Sequence, residues 1–322
     1  MYTIYISQNG KLERNNNTLF FYGIDFKRAL PVQNISEIII SSKVSLSSWA
    51  IDYLTKLGIM VHFIDTNGRF HGSYIPFNRK EKGSLTVLQA LAYSNTKKRI
   101  EIASEIVNGI RYNIKRNIRY YNHNGSLEEK IESFDSIFTE KVSIEGLLGV
   151  EGKPWSIYYS TFDQIYGLKK HFKREYFPPP DEVNSLISYG NSLLYSTCIT
   201  AIAKVGLNPS ISFLHEPSDR SFSLALDLAD IFKPVIVERL VSTFINNKML
   251  QERYFEERDG GVYLSSEGRK IFLEKYSDKM ETSVKLKNGK YVKYDTMIEM
   301  ECRKLLNSIL DNEPYFSFRA WD

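Results

Sequence analysis

The pattern of apolar and polar positions changes character about a quarter of the way along the chain. Up to residue 78, short runs rich in β-branched and aromatic residues dominate, and Met1 to Ser7, Thr18 to Tyr22 and Ile35 to Ile40 each predict a strand. Asn9-Gly10 predicts a turn after the first of them. One stretch departs from this pattern: Leu46, Trp49, Ala50, Tyr53, Leu54 and Leu57 recur at helical spacing, and Gly58 supplies the C-terminal stop. Ile59 to Asp65 and Arg69 to Tyr74 then flank Thr66-Asn67-Gly68, the turn chemistry of a β-hairpin.

The charged segment Asn78-Arg79-Lys80-Glu81-Lys82-Gly83-Ser84 has no apolar period and predicts a linker at 79–85. Beyond it the spacing is helical. Thr86 to about Tyr121 reads as helix with an interruption near Ser94-Asn95-Thr96, and further helices are expected across 126–148. Pro178-Pro179-Pro180 marks a break, after which Asp181 is the expected N-cap of a helix running to Val205, with Gly206 just past its end. Ser221 to Leu250 reads as one long helix. Pro234 should kink it by removing the hydrogen bond to the Asp230 carbonyl. The expected architecture is therefore α+β. A small β-rich, β-sandwich-like domain at 1–78 precedes a larger all-α domain at 86–322, which carries a small β-hairpin insert near 283–294.

Composition changes this picture little. At 43% hydrophobic and 25% charged, 322 residues can bury a substantial core. A net charge of +4 is compatible with nucleic acid without requiring it. Cys198 and Cys302 lack any metal or redox spacing, so reduced thiols and a cytoplasmic protein are expected. The first residues do not resemble a signal peptide, and no apolar run approaches the ~20 residues needed to span a bilayer. The chain has no P-loop, dinucleotide fingerprint, nucleophile elbow or HExxH, which counts against an ATPase, an oxidoreductase and the common hydrolases.

The candidate chemistry centres on Asp227 and Asp230. On a helix this spacing puts both carboxylates on one face inside an apolar run, a costly arrangement unless a cation compensates them. His215, on a polar turn just upstream, is close enough in sequence to join them. Mixed imidazole and carboxylate ligation suits Mg²⁺ or Mn²⁺. A third ligand must come from elsewhere: Glu151 in Gly149-Val150-Glu151-Gly152-Lys153-Pro154, placed before a helix that Pro154 opens, is the better source, and Glu145 is its rival. Seven Lys and Arg against two acids between Lys97 and Arg119 leave a net of +5, with Arg111, Lys115 and Arg119 in one stripe suited to phosphates. Gly190, costly within a helix, hints that Tyr189 and Asn191 reach a substrate, although close helix packing explains it equally well.

These segments taken in order, Gly149-Val150-Glu151-Gly152, Ser188-Tyr189-Gly190-Asn191-Ser192 and Phe213-Leu214-His215-Glu216-Pro217 through Asp227, Asp230 and Pro234, resemble the CRISPR-associated integrase of the adaptation module, "Cas one". The Leu-His-Glu-Pro wording is similar to the variety accompanying type I systems. The resemblance implies a metal-dependent endonuclease and integrase with Glu151, His215 and Asp230 as its metal and catalytic site. It makes Asp227 a supporting acid and puts Lys233 and Tyr189 near the DNA. It further implies a homodimer through the β-domain, the small partner "Cas two", and double-stranded DNA, both protospacer and leader–repeat, as substrate. Two other readings compete on the residues alone: a non-catalytic nucleic-acid scaffold with a structural acidic pair, and a hydrolase of small phosphoesters.

Overall fold

The first quarter of the chain forms eight strands and one helix in the computed structural model, which describes residues 2–76, 83–137, 143–168, 171–217, 222–286 and 289–320. The strands are β1 (Tyr2–Ile6), β2 (Gly10–Asn15), β3 (Thr18–Tyr22), β4 (Lys27–Leu30), β5 (Ile35–Ile40), β6 (Val44–Leu46), β7 (Met60–Ile64) and β8 (Phe70–Tyr74), with α1 (Ser48–Leu57) before β7. They make two four-stranded sheets, ordered β1-β5-β7-β8 and β4-β3-β2-β6. Ile38, Ile40 and Val61 of the first sheet share one core with Leu12, Leu19 and Phe21 of the second and with Leu54 of α1. The region is sandwich-like, as the alternation implies.

The chain does leave β1 through a bend just before Gly10, but β1 and β2 enter different sheets, and the tight hairpin turn between β2 and β3 falls at Asn16, whose φ is 53°. Gly10 serves close packing, because a Cβ there would lie 2.3 Å from the Tyr22 carbonyl oxygen. Gly58 and Gly68 do adopt left-handed backbone, with φ of 68° and 83°.

All six residues of β5 are buried because its second face is covered too. There Glu37 accepts hydrogen bonds from the hydroxyls of Thr3 (2.9 Å) and Thr197 (3.0 Å), and His62 bonds Thr200 at 2.7 Å. Thr197 and Thr200 belong to α7 (Glu182–Val205), whose N-cap is Asp181, accepting from the Asn184 amide at 2.7 Å. The unit built on the sheets accordingly comprises Met1–Lys82, Tyr176–Thr200 and Leu250–Asp278, so its boundary is not the contiguous one drawn at 79–85. The same unit contains β9 (Phe255–Arg258), β10 (Gly261–Leu264) and most of α10 (Ser266–Glu281).

The second unit comprises Gly83–Glu175, Ala201–Met249 and Lys279–Asp322. Its helices are α2 (Gly83–Ser94), α3 (Thr96–Tyr121), α4 (Glu128–Ser133), α5 (Ile144–Tyr159), α6 (Phe162–Tyr166), α8 (Ser223–Phe232), α9 (Val237–Asn246) and α11 (Tyr294–Leu310), with the short hairpin β11 (Ser283–Lys285) and β12 (Tyr291–Lys293). Residues 83–85, expected in the linker, are already helical, and 79–82 lie outside the described residues. The interruption at Asn95 is real, and its side chain caps α3 by accepting from the Lys98 amide at 3.1 Å.

The single kinked helix expected over 221–250 is instead two helices, α8 and α9, separated at 233–236. Pro234 explains why the ladder fails there. Two buried asparagines of α3 then make the break durable: Asn113 donates to the Ile231 carbonyl at 2.9 Å, and Asn117 donates to that of Pro234. Among the described residues no helix is long and apolar enough to cross a membrane.

Candidate active site

Asp227 lies in the second turn of α8 and is fully buried. One of its oxygens accepts the amides of Phe213 (2.8 Å) and Leu214 (3.0 Å). The other accepts the His215 amide at 3.0 Å and bonds His215 Nδ1 at 2.7 Å. A buried carboxylate with four donors is fully satisfied, and it fixes both the turn and the ring: Nδ1 is occupied, and among the described residues Nε2 makes no hydrogen bond. Asp227 and Asp230 therefore do not act as a matched pair on one cation, which corrects the expectation drawn from their spacing.

Residues distant in sequence hold the His215 turn from its other side. Arg99 donates from Nε to the Phe213 carbonyl at 3.0 Å and pairs with Glu216 at 2.6 Å, and the Tyr93 hydroxyl donates to Glu216 at 2.8 Å. Ser212 donates its hydroxyl to the His215 carbonyl at 2.5 Å. Arg99 was counted in the basic run, yet its role here is architectural. Nothing in the local sequence marks it out from Lys97 or Lys98.

Asp230, 5% exposed, is ion-paired with Lys233 one turn on. Glu151 sits inside α5, not ahead of a helix: Ser143 caps α5, and Pro154 lies in its interior. That corrects the expected helix start, because the Ser143 hydroxyl supplies the cap by accepting the Gly146 amide at 3.2 Å, eleven residues before Pro154. Glu145, the rival ligand, is an exposed acid of the first turn; its own backbone amide and Ser143 hold its carboxyl below the usual range.

Glu151, His215 and Asp230 lie within one another's electric field. Burial first, then the charge of Asp230, pushes the Glu151 carboxyl up to about 7, against the opposing pull of Lys233, His215 and a hydrogen bond from Trp155. Burial disfavours a charged His215, but the hydrogen bond and charge of Asp227, with Asp230 and Glu151 beyond it, outweigh that and raise it to about 9. The three do not close into a cage: among the described residues no group of three His, Cys, Asp or Glu side chains is gathered tightly enough to hold a metal ion. The arrangement is an anionic field that Lys233 and the imidazolium partly neutralise.

Comparison with known proteins identifies the chain's kin. The family model for CRISPR associated protein Cas1 matches residues 4–278. The chain belongs to the Cas1 family. A relative named CRISPR-associated endonuclease Cas1 from Clostridium perfringens is 36% identical over 324 residues, covering 98% of each chain. One from Pyrococcus horikoshii is 35% identical and likewise covers 98% of each. The solved structure of a Cas1 protein from Thermotoga maritima superposes with a TM-score of 0.87 at 30% identity, covering 99% of this chain and all of that one. A casposase bound to an integration product shares the fold, with a TM-score of 0.84 at 21% identity.

Within this Cas1 chain the other candidate residues are placed unevenly. Tyr189 is only 2% exposed: its ring packs edge-on to Phe272 at 5.5 Å, and burial drives its hydroxyl up to about 12. It is a core residue of the sheet-bearing unit rather than an open DNA contact, which supports the packing explanation for Gly190. Asn191, beside it on α7, is partly exposed. The stripe on α3 is less positive than its own helix suggests. Lys115 pairs with Asp135 at 2.5 Å, and Arg111 donates to the Ile137 carbonyl. Arg119 is exposed and also within the field of Asp135. The compensating acid comes from the segment after α4, where no reading of α3 alone would find it.

Proposed function

We propose that this Cas1 chain is a divalent-metal-dependent DNA integrase and endonuclease. The observation that carries the reading is the convergence of Glu151 from α5, His215 from the preceding turn and Asp230 from α8 into one partly buried anionic field, in a chain of this family. The donors fit Mg²⁺ or Mn²⁺ in kind: two carboxylates and an imidazole whose Nδ1 is already engaged, leaving Nε2 as the ligand. Such an ion would polarise a phosphodiester and lower the pKa of an attacking hydroxyl.

The protein residues orient and hold. Asp227 locks the tautomer and tilt of His215, Trp155 orients the Glu151 carboxylate, and Lys233 carries a positive charge beside Asp230, in reach of a phosphate. The substrate is double-stranded DNA. A 3′-hydroxyl of the incoming protospacer forms a new oxygen–phosphorus bond at the leader–repeat junction as the bond to the departing 3′-oxygen breaks. The attacking group loses its proton to solvent and the leaving oxygen gains one. One phosphodiester replaces another, so no nucleotide cofactor is needed; water in place of the hydroxyl gives cleavage. A solved Cas6-RT-Cas1–Cas2 complex and a solved Cas1–DNA complex share this fold, which is in keeping with a Cas2 partner and DNA here; a homodimer through the β-domain is part of the same reading.

The test combines the protein, its Cas2 partner, short duplex DNA and a supercoiled repeat plasmid with Mn²⁺. EDTA-sensitive joining that Asp230→Ala and His215→Ala each abolish, while DNA is still retarded in a gel, is the expected result. Full joining by either variant removes that residue from the site. Retarded DNA with no joining by the unaltered protein favours the scaffold reading.

A further inference from the structure

Arg239 and Lys279 are partly buried cations with no carboxylate partner among the described residues. Arg239, on α9, lies with its guanidinium 3.9 Å from the ring centre of Tyr120 and 5.7 Å from that of Tyr121, and its Nε donates to Asn117. Lys279, at the end of α10, places its ammonium 4.9 Å from the Tyr294 ring centre. The Arg239 charge reaches Lys279, and the charges of Arg239 and Arg116 both reach the Tyr294 hydroxyl, which burial nonetheless keeps above its ordinary value. Four helices thus bring the charges of Arg239 and Arg116 to one buried phenol whose ring the Lys279 ammonium overlies.

Like charges gathered out of water are unfavourable unless an anion joins them. The same unit supplies such anions elsewhere: Asp135 for Lys115, Glu216 for Arg99, Glu301 for Lys304 and Glu105 for Arg319. At Arg239 and Lys279 none of the described residues provides an acid. Burial and the neighbouring guanidinium lower the Lys279 ammonium to about 8.

We propose that Arg239, Lys279 and the Tyr294 hydroxyl form a phosphate-binding seat that takes one backbone phosphate of DNA. The planar guanidinium, braced against Tyr120, presents its donors in a fixed orientation, the ammonium adds a point charge, and the protonated phenol donates a hydrogen bond. The seat differs from the Arg111–Lys115–Arg119 stripe, where Asp135 already answers the charge. Assignment to DNA rests on the reading of the chain as a DNA-handling enzyme; phosphate chemistry alone would also admit a free nucleotide.

The test uses the full chain without added metal. An amine with a pKa of about 8 is half unprotonated at pH 8, roughly a hundredfold more than an ordinary lysine, so Lys279 should be acetylated early by an N-hydroxysuccinimide ester. Acetylation is followed by mass spectrometry alone, with a 20-base-pair duplex, with AMP and with inorganic phosphate. The duplex should slow Lys279 labelling at least fivefold, and Lys279→Met should lower the slope of log affinity against log salt by about 1. Equal protection by AMP or inorganic phosphate keeps the seat and overturns its assignment to DNA. Unchanged labelling with every probe overturns the seat itself, whether or not the Met variant folds. Because protection is read without metal, failure of metal-dependent joining leaves this result standing, and the converse also holds.

Discussion

Replacing Glu238 by Gln should stabilise the helical unit progressively as the pH rises. Glu238, on α9, is 1% exposed; one oxygen accepts the Tyr159 hydroxyl at 3.0 Å, and the other has no hydrogen-bond partner among the described residues. Burial pushes its carboxyl from 4.5 up to about 7, although the Tyr159 hydrogen bond and the charges of Arg174 and Lys233 pull it back. Below pH 4.5 the group is protonated in both folded and unfolded chains and contributes no pH dependence. Between 4.5 and 7 the unfolded chain releases the proton while the folded one keeps it, so stability falls by ~1.4 kcal/mol per pH unit. Above 7 the loss levels off near ~3 kcal/mol. Glutamine preserves size and the acceptor for Tyr159 but cannot ionise. Trp155, stacked on Tyr159 at 5.8 Å, reports on this region. Urea unfolding followed by tryptophan fluorescence at pH 5, 6, 7 and 8, in a Trp49→Phe background, should show the advantage of Glu238→Gln growing to pH 7 and then flattening. A difference that stays constant across the range would refute the argument, because the carboxyl would then be ionised in the fold.

Three further outcomes follow from contacts elsewhere in the same unit. Asp227→Ala strands the buried Phe213 and Leu214 amides and removes the partner of His215, at a cost of about 3–5 kcal/mol in chemical denaturation. Asp227→Asn should lower the His215 imidazole pKa from about 9, measured by its ring proton shifts, whereas an unchanged titration would mean that Asp227 does not set it. Gly109→Ala would put a Cβ 2.5 Å from Ser317 Oγ and 2.9 Å from its Cβ. Crowding there should cost about 1–3 kcal/mol and speed amide hydrogen exchange across 315–320, and wild-type exchange in the variant would show that the segment yields without strain.

Local chemistry was legible because its signals act over a few residues. Gly58 and Gly68 take backbone that a side chain resists, Asn95 and Asp181 cap the amides just ahead of them, and the apolar spacing of α3 commits one face to the interior. Those features need no partner from afar, and the division into strand-rich and helical stretches follows from them. The family likeness was legible for a related reason, since Glu151, His215 and Asp230 stand in short segments of distinctive wording. Pairing between distant charges was not. Asp227 and Asp230 look equivalent in the chain, yet one is consumed by three backbone amides and an imidazole while the other faces Lys233 and Glu151. Lys115 meets its acid twenty residues away, Arg99 its own beyond residue 200, and α7 leaves the helical stretch to bury Glu37 and His62 of a sheet. Sequence by itself determined where the backbone turns and which faces avoid water. Only the tertiary structure decided which ionised groups share a low-dielectric neighbourhood, because Coulomb energy and desolvation depend on distance in space and burial, quantities that separation along the chain does not set.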